Sequence, residues 1–110
     1  MTALSLMIAG NLQAQEMTWT PTATRFALWA PTADSVRVKI YNEGLGGTPL
    51  MTAVMYPDNG IWATTMYCNL KGKFYTFQVS HNGKWLEENP GISARAVGAN
   101  GQRGAIIDLR

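Results

Sequence analysis

The sequence predicts an all-β domain, an antiparallel sandwich of about seven short strands. Three observations carry that expectation. Apolar and polar residues alternate through Val36-Arg37-Val38-Lys39-Ile40-Tyr41 and again through Phe74-Tyr75-Thr76-Phe77-Gln78-Val79. This is the pattern of a half-buried strand, whose successive side chains leave opposite faces of the pleat. Turn chemistry recurs at short intervals, most sharply as Asn59-Gly60 and Asn82-Gly83, because these residue types reach positive φ at low cost. No stretch carries the apolar period of an amphipathic helix. Short strands, regular turns and no helix together point to a sandwich of immunoglobulin-like type.

Size and charge set the outer bounds. A chain of 110 residues makes one domain, long enough for a real core and too short for a two-domain enzyme. With 46% hydrophobic and 15% charged residues, the composition is that of a globular protein. The net charge is +2, and the basic residues are scattered singly, so no nucleic-acid footprint is expected. Cys68 is the single cysteine, which excludes an internal disulfide and a cysteine-cluster metal site. Neither a metal nor another cofactor is expected, and no segment is long enough for a membrane span.

Taken in order, Met1 to Gln15 stands apart from the fold as a signal peptide or disordered leader. The short apolar run Ala3-Leu4-Ser5-Leu6-Met7-Ile8-Ala9 matches the core of a secretory signal, with cleavage after Ala14 and a secreted or periplasmic destination. No Lys or Arg precedes Arg25, so the basic start of such a signal is missing. The domain itself is expected over residues 17–110. Glu16 to Thr24 is a Thr/Pro-rich entry, with Trp19 at the sandwich edge. Arg25 to Trp29 and Val36 to Tyr41 are expected as two strands of a hairpin, joined through Ala30-Pro31-Thr32-Ala33-Asp34, where proline cannot donate to a ladder. Asn42 to Pro49 is a glycine-rich loop. It lacks the Lys-Ser/Thr ending of a phosphate-binding loop, so it reads as a plain connection.

Leu50 to Tyr56 is expected as the next strand, and Pro57-Asp58-Asn59-Gly60 as a turn. Ile61 to Met66 follows, then a turn at Asn69-Leu70-Lys71-Gly72, then the strand Phe74 to Ser80. His81-Asn82-Gly83-Lys84 is a two-residue hairpin, and Trp85-Leu86 begins the return. Glu87 to Arg103 is irregular, and Ala105 to Leu109 is a last short strand. The expected core is Phe26, Leu28, Val36, Val38, Ile40, Trp62, Tyr75, Phe77 and Val79.

Catalytic groups are hard to assemble from these residues. His81 sits in a turn with no Ser, Cys or Asp neighbour to form a relay. Glu87 and Glu88 are adjacent, so an extended backbone sends them to opposite sides, where they cannot flank one glycosidic bond. Asp34 and Asp58 are turn residues, and Asp108 lies in the last strand. No ligand cluster for a metal is present. The 110 residues alone are not expected to be an enzyme. The aromatic residues Trp19, Trp29, Tyr56 and Trp85 remain as outward rings that suit either the apolar face of a pyranose or a protein interface.

The segment Thr24-Arg25-Phe26-Ala27-Leu28-Trp29-Ala30-Pro31-Thr32-Ala33-Asp34-Ser35-Val36 resembles the opening of a carbohydrate-binding module of family 48. Ile61-Trp62 and Leu70-Lys71-Gly72-Lys73-Phe74-Tyr75-Thr76-Phe77-Gln78-Val79 are similar to its central strands. The run Ala94-Arg95-Ala96-Val97-Gly98-Ala99-Asn100-Gly101-Gln102-Arg103-Gly104-Ala105-Ile106-Ile107-Asp108-Leu109 resembles the stretch that joins this module to the barrel of type I pullulanases in glycoside hydrolase family 13. Where those enzymes commonly carry Asp-Pro-Tyr, this chain reads Asn89-Pro90-Gly91.

The resemblance implies an N-terminal accessory module of a starch- or glycogen-debranching enzyme that hydrolyses α-1,6-glucosidic bonds. The family's nucleophile Asp and acid Glu lie in the barrel, so neither role passes to a residue here, and the chain is expected to be the front piece of such an enzyme. The implied partners are an α-glucan (starch, glycogen or pullulan), bound weakly, and the C-terminal catalytic barrel. The glycogen-binding domain of the AMP-activated kinase β-subunit is a distant relative with a stacking Trp after an Asp-Gly-x turn; Asn82-Gly83-Lys84-Trp85 is similar in spacing. Trp85, with Lys84, Asn82 and Gln78, is therefore the implied sugar site. Trp29, Trp19, Asn100 and Arg103 are implied at the catalytic-domain interface. The alternative is a purely structural sandwich that packs against a catalytic domain and binds no sugar.

Overall fold

In the computed structural model, residues 17–90 and 103–108 are described. The expected leader and the whole Ala94–Asn100 run, Asn100 included, lie outside the described residues. The described residues form nine strands: β1 (Met17–Trp19), β2 (Thr24–Trp29), β3 (Ser35–Tyr41), β4 (Met51–Val54), β5 (Tyr56–Asp58), β6 (Ile61–Met66), β7 (Phe74–His81), β8 (Lys84–Trp85) and β9 (Gly104–Ala105). They make two sheets. One runs β1-β2-β6-β5; the other runs β4-β3-β7-β8, with β9 also paired to β7. All pairings among the described strands are antiparallel. The all-β sandwich expected from the sequence is the architecture found.

The core is the space between the sheets. Val36, Val38 and Ile40 of β3 are fully buried, as are Phe26 of β2 and Phe77 of β7, while Tyr75 keeps 2% exposure. Phe26, Tyr75 and Phe77 meet with centroids 5.3 to 6.3 Å apart in tilted or edge-on geometry, the arrangement ring quadrupoles favour. Ile106 and Leu70 belong to the same cluster. Trp62 and Val79, expected in the core, pack against it while only partly buried; the Trp62 indole N–H donates to the Ala30 carbonyl at 2.9 Å.

Several expectations need correction. Arg25–Trp29 and Val36–Tyr41 are not a hairpin: β2 pairs β1 and β6, whereas β3 pairs β4 and β7. The Ala30–Asp34 connection crosses from one sheet to the other. Both strands turn their apolar faces inward, so they bury them against each other across the core instead of side by side. Leu50 to Tyr56 is likewise two strands, β4 in one sheet and β5 in the other. Met55 stands at the crossing, 2% exposed, with its N–H bonded to the Val36 carbonyl at 2.9 Å. Pro57 lies within β5 and not in a turn; β5 is a sheet edge, where a missing N–H costs no ladder bond.

Trp19 is the other correction. Expected at an interface, it is 5% exposed and belongs to the core. The reason is β1: Trp19 pairs with Thr24, which turns the ring into the sandwich. Its indole N–H donates to Asn69 Oδ1 at 3.0 Å, and the Lys71 ammonium stands 5.2 Å over the ring.

Candidate functional site

The alternation that buries Val36, Val38 and Ile40 sends Arg37, Lys39 and Tyr41 to the outer face of the second sheet. Register then sets their neighbours: Arg37 opposite Gln78, Lys39 opposite Thr76, Tyr41 opposite Phe74. On the far side of β7, the Asn82-Gly83 turn, with φ of 52° and 78°, folds β8 back so that Trp85 pairs with Ser80. Ser80 shares its face with Thr76 and Gln78, so Trp85 joins the same outer surface. The Gly83 N–H is 3.4 Å from Asp34 Oδ2, which ties this hairpin to the inter-sheet crossing.

Two clusters meet on that surface. In the first, the Arg37 guanidinium lies 3.9 Å from the Trp85 ring centroid. Its Nε donates to Gln78 Oε1 at 2.8 Å, and Gln78 Nε2 donates to the Leu86 carbonyl at 2.9 Å. In the second, Glu88 accepts at Oε1 from the Tyr41 hydroxyl at 2.5 Å and the Thr76 hydroxyl at 2.7 Å, and at Oε2 from Lys39 Nζ at 3.3 Å. The backbone bridge between Phe77 and Asn89 holds Glu88 in place above the sheet. Arg103 stacks over Tyr41 at 3.5 Å and donates to the carbonyls of Glu43 and Gly46 at 2.7 and 2.8 Å.

Tyr41, Thr76, Gln78, Glu87, Glu88 and Arg103 line an open recess of about 460 Å³. Its electrostatics follow from the contacts. Burial pushes the Glu88 carboxyl up, but the hydroxyls of Tyr41 and Thr76 and the charge of Lys39 outweigh it and hold the group below its ordinary value. Glu88 is therefore a carboxylate at neutral pH. The Tyr41 hydroxyl is pushed up to about 12, by burial first and then by its bond to Glu88, and stays a donor. A recess of fixed donors and acceptors beside an exposed indole can hold a neutral, hydroxyl-rich molecule. Among the described residues, no group of His, Cys, Asp and Glu is placed to hold a metal.

Of the four residues expected to meet sugar, Trp85 and Gln78 come together through Arg37. Lys84 does not join them. It pairs with His81, and strand alternation sends it to the face opposite Trp85. Asn82 is exposed at the turn, where its positive φ makes its part conformational. Among the expected interface residues, Trp29 is 49% exposed on the outer face of the first sheet. Arg103 is buried, its guanidinium engaged by Tyr41 and the glycine-rich loop. Arg37 and Glu88 were missed by the sequence reading. The signal for Arg37 was present, in the outward phase of β3, but its partner strand was not.

The carbohydrate-binding module 48 family (isoamylase N-terminal domain) matches residues 12–94. The chain is 31% identical over 96 residues to the chloroplastic pullulanase 1 of Arabidopsis thaliana, covering 83% of this chain and 10% of the relative. It is 30% identical over 89 residues to the pullulanase of Bacillus subtilis strain 168, covering 81% of this chain and 12% of the relative. Among solved structures, a complex of the Paenibacillus barengoltzii pullulanase with maltohexaose and α-cyclodextrin superposes with a TM-score of 0.80 at 36% identity, over 91% of this chain and 16% of that one. The chain thus spans a tenth to about a sixth of the length of these relatives. No helix among the described residues is long and apolar enough to cross a membrane.

Proposed function

The chain belongs to the carbohydrate-binding module 48 family, and from that premise we propose that it is the N-terminal α-glucan-binding module of a pullulanase-like debranching enzyme. In this reading the full-length protein hydrolyses α-1,6-glucosidic bonds of starch, glycogen or pullulan, and this module helps to hold the glucan. The observation that carries the reading is Trp85, 43% exposed on the same face as the recess of Gln78 and Glu88. Its indole offers a flat apolar surface to a pyranose, while Gln78 and Glu88 offer acceptors to the hydroxyls. A single exposed ring supports only weak binding, since association must first overcome lost translational freedom. Electrophoresis of the 110-residue chain through gels containing glycogen tests this directly. Retardation is expected for the wild type and its loss for Trp85→Ala; equal mobility with and without glycogen would count against the sugar site.

A second reading, a sandwich that only packs against a catalytic domain, draws on Trp29 and Tyr56. These are 49% and 67% exposed and stand on the outer face of the first sheet, away from Trp85. The two readings separate by variant. Trp29→Ala should leave glycogen retardation unchanged and weaken packing against a catalytic domain supplied in longer protein. For destination, the apolar run at Ala3–Ala9 supports export, which N-terminal sequencing of the mature protein after Ala14 would verify.

A further inference from the structure

One of the two faces of the Trp85 indole is already occupied. The Arg37 guanidinium carbon stands 3.9 Å from the ring centroid, although Arg37 sits on β3 and Trp85 on β8, with β7 between them. Arg37 is itself held, since its Nε donates to Gln78 Oε1 at 2.8 Å. Gln78 in turn donates to the Leu86 carbonyl at 2.9 Å, one residue beyond Trp85. Ring, guanidinium, amide and backbone close a circuit that fixes the tilt of the ring. The residue nevertheless keeps 43% of its surface exposed.

Resting on the glucan reading above, we infer that Arg37 is a positioning residue for the sugar platform. It backs Trp85 so that a pyranose stacks on the opposite face alone, forming a three-layer stack of guanidinium, indole and sugar. Without backing, an indole on a two-residue edge strand would sample several rotamers, and binding would have to order it. Holding the ring beforehand removes that cost from the binding step. A guanidinium suits the task because it lies flat on an aromatic face and still sends an N–H sideways to an amide. An ammonium cannot do both.

The experiment is an NMR titration of the labelled 110-residue chain with β-cyclodextrin, comparing wild type, Arg37→Ala, Arg37→Lys and Trp85→Ala. Dispersed amide spectra establish that each variant is folded. In the wild type the Arg37 side-chain N–H is expected upfield from ring-current shielding, and that shift disappears in Trp85→Ala. The shift persists when the protein is saturated with β-cyclodextrin, because the sugar takes the other face. Arg37→Ala should bind about five-fold more weakly, and Arg37→Lys should not restore affinity. Loss of the upfield shift on saturation would mean that sugar displaces Arg37, and would overturn the inference. Wild-type binding matched by Arg37→Ala would overturn this inference alone. A wild type that binds no β-cyclodextrin would overturn the glucan reading together with it.

Discussion

Glu88 joins three parts of the chain through one carboxylate: Tyr41 and Lys39 of β3, Thr76 of β7, and its own segment after β8. Because the fold favours its ionised form, Glu88 adds stability above its ordinary value of 4.5 and loses it as pH falls through the lowered value. Urea unfolding between neutral and acid pH should therefore show a falling midpoint below about pH 4.5 that flattens in Glu88→Gln; an unchanged profile would contradict the network. Thr24 presents the opposite case. It is fully buried, and its hydroxyl has no hydrogen-bond partner among the described residues. Thr24→Val keeps the shape and removes an unsatisfied group, so it should be neutral or raise stability by about 1 kcal/mol by urea titration. Residues in strict alternation, such as Val36, Val38 and Ile40, were legible from sequence. Trp19 was not, because its burial depends on β1 pairing with β2, and a three-residue strand leaves too short a pattern to read.

Among the elements, the two Asn-Gly hairpins were legible for a local reason: a two-residue turn of positive φ closes on its own flanking strands. Gly60 adds a second requirement. Its φ is +87°, and a Cβ there would fall 2.7 Å from the Trp29 ring. Gly60→Ala should cost about 2 kcal/mol in a urea titration, with Trp29 fluorescence altered. Gly104 makes a similar close approach in β9, where a Cβ would meet the Tyr75 ring at 2.5 Å. The crossings were illegible. Ala30–Asp34 and Met55 each move the chain between sheets, and nothing in a local pattern of apolar and polar residues states which sheet the next strand joins. Met55→Ala, which empties the buried crossing, should cost about 2–4 kcal/mol by the same titration.

At the scale of the molecule, two sheets share one core and present two different outer faces. One carries the Trp85–Arg37 pair and a polar recess lined by Gln78 and Glu88 among others; the other carries Trp29 and Tyr56. The sequence showed that aromatic residues would be left outside, and the family resemblance singled out Trp85. The recess was hidden because it needs β3, β7, the segment at Glu88 and Arg103 together, residues far apart in the chain. Under the proposed function, the separation of faces would let glucan and a neighbouring domain be engaged at once. The measurement that tests the account most directly is calorimetric titration of the chain with maltoheptaose, wild type against Trp85→Ala. The account predicts weak but saturable heat from the wild type and at least a ten-fold loss of affinity in the variant, with thermal stability lowered by no more than about 1 kcal/mol. Saturable binding that survives unchanged in Trp85→Ala would contradict it.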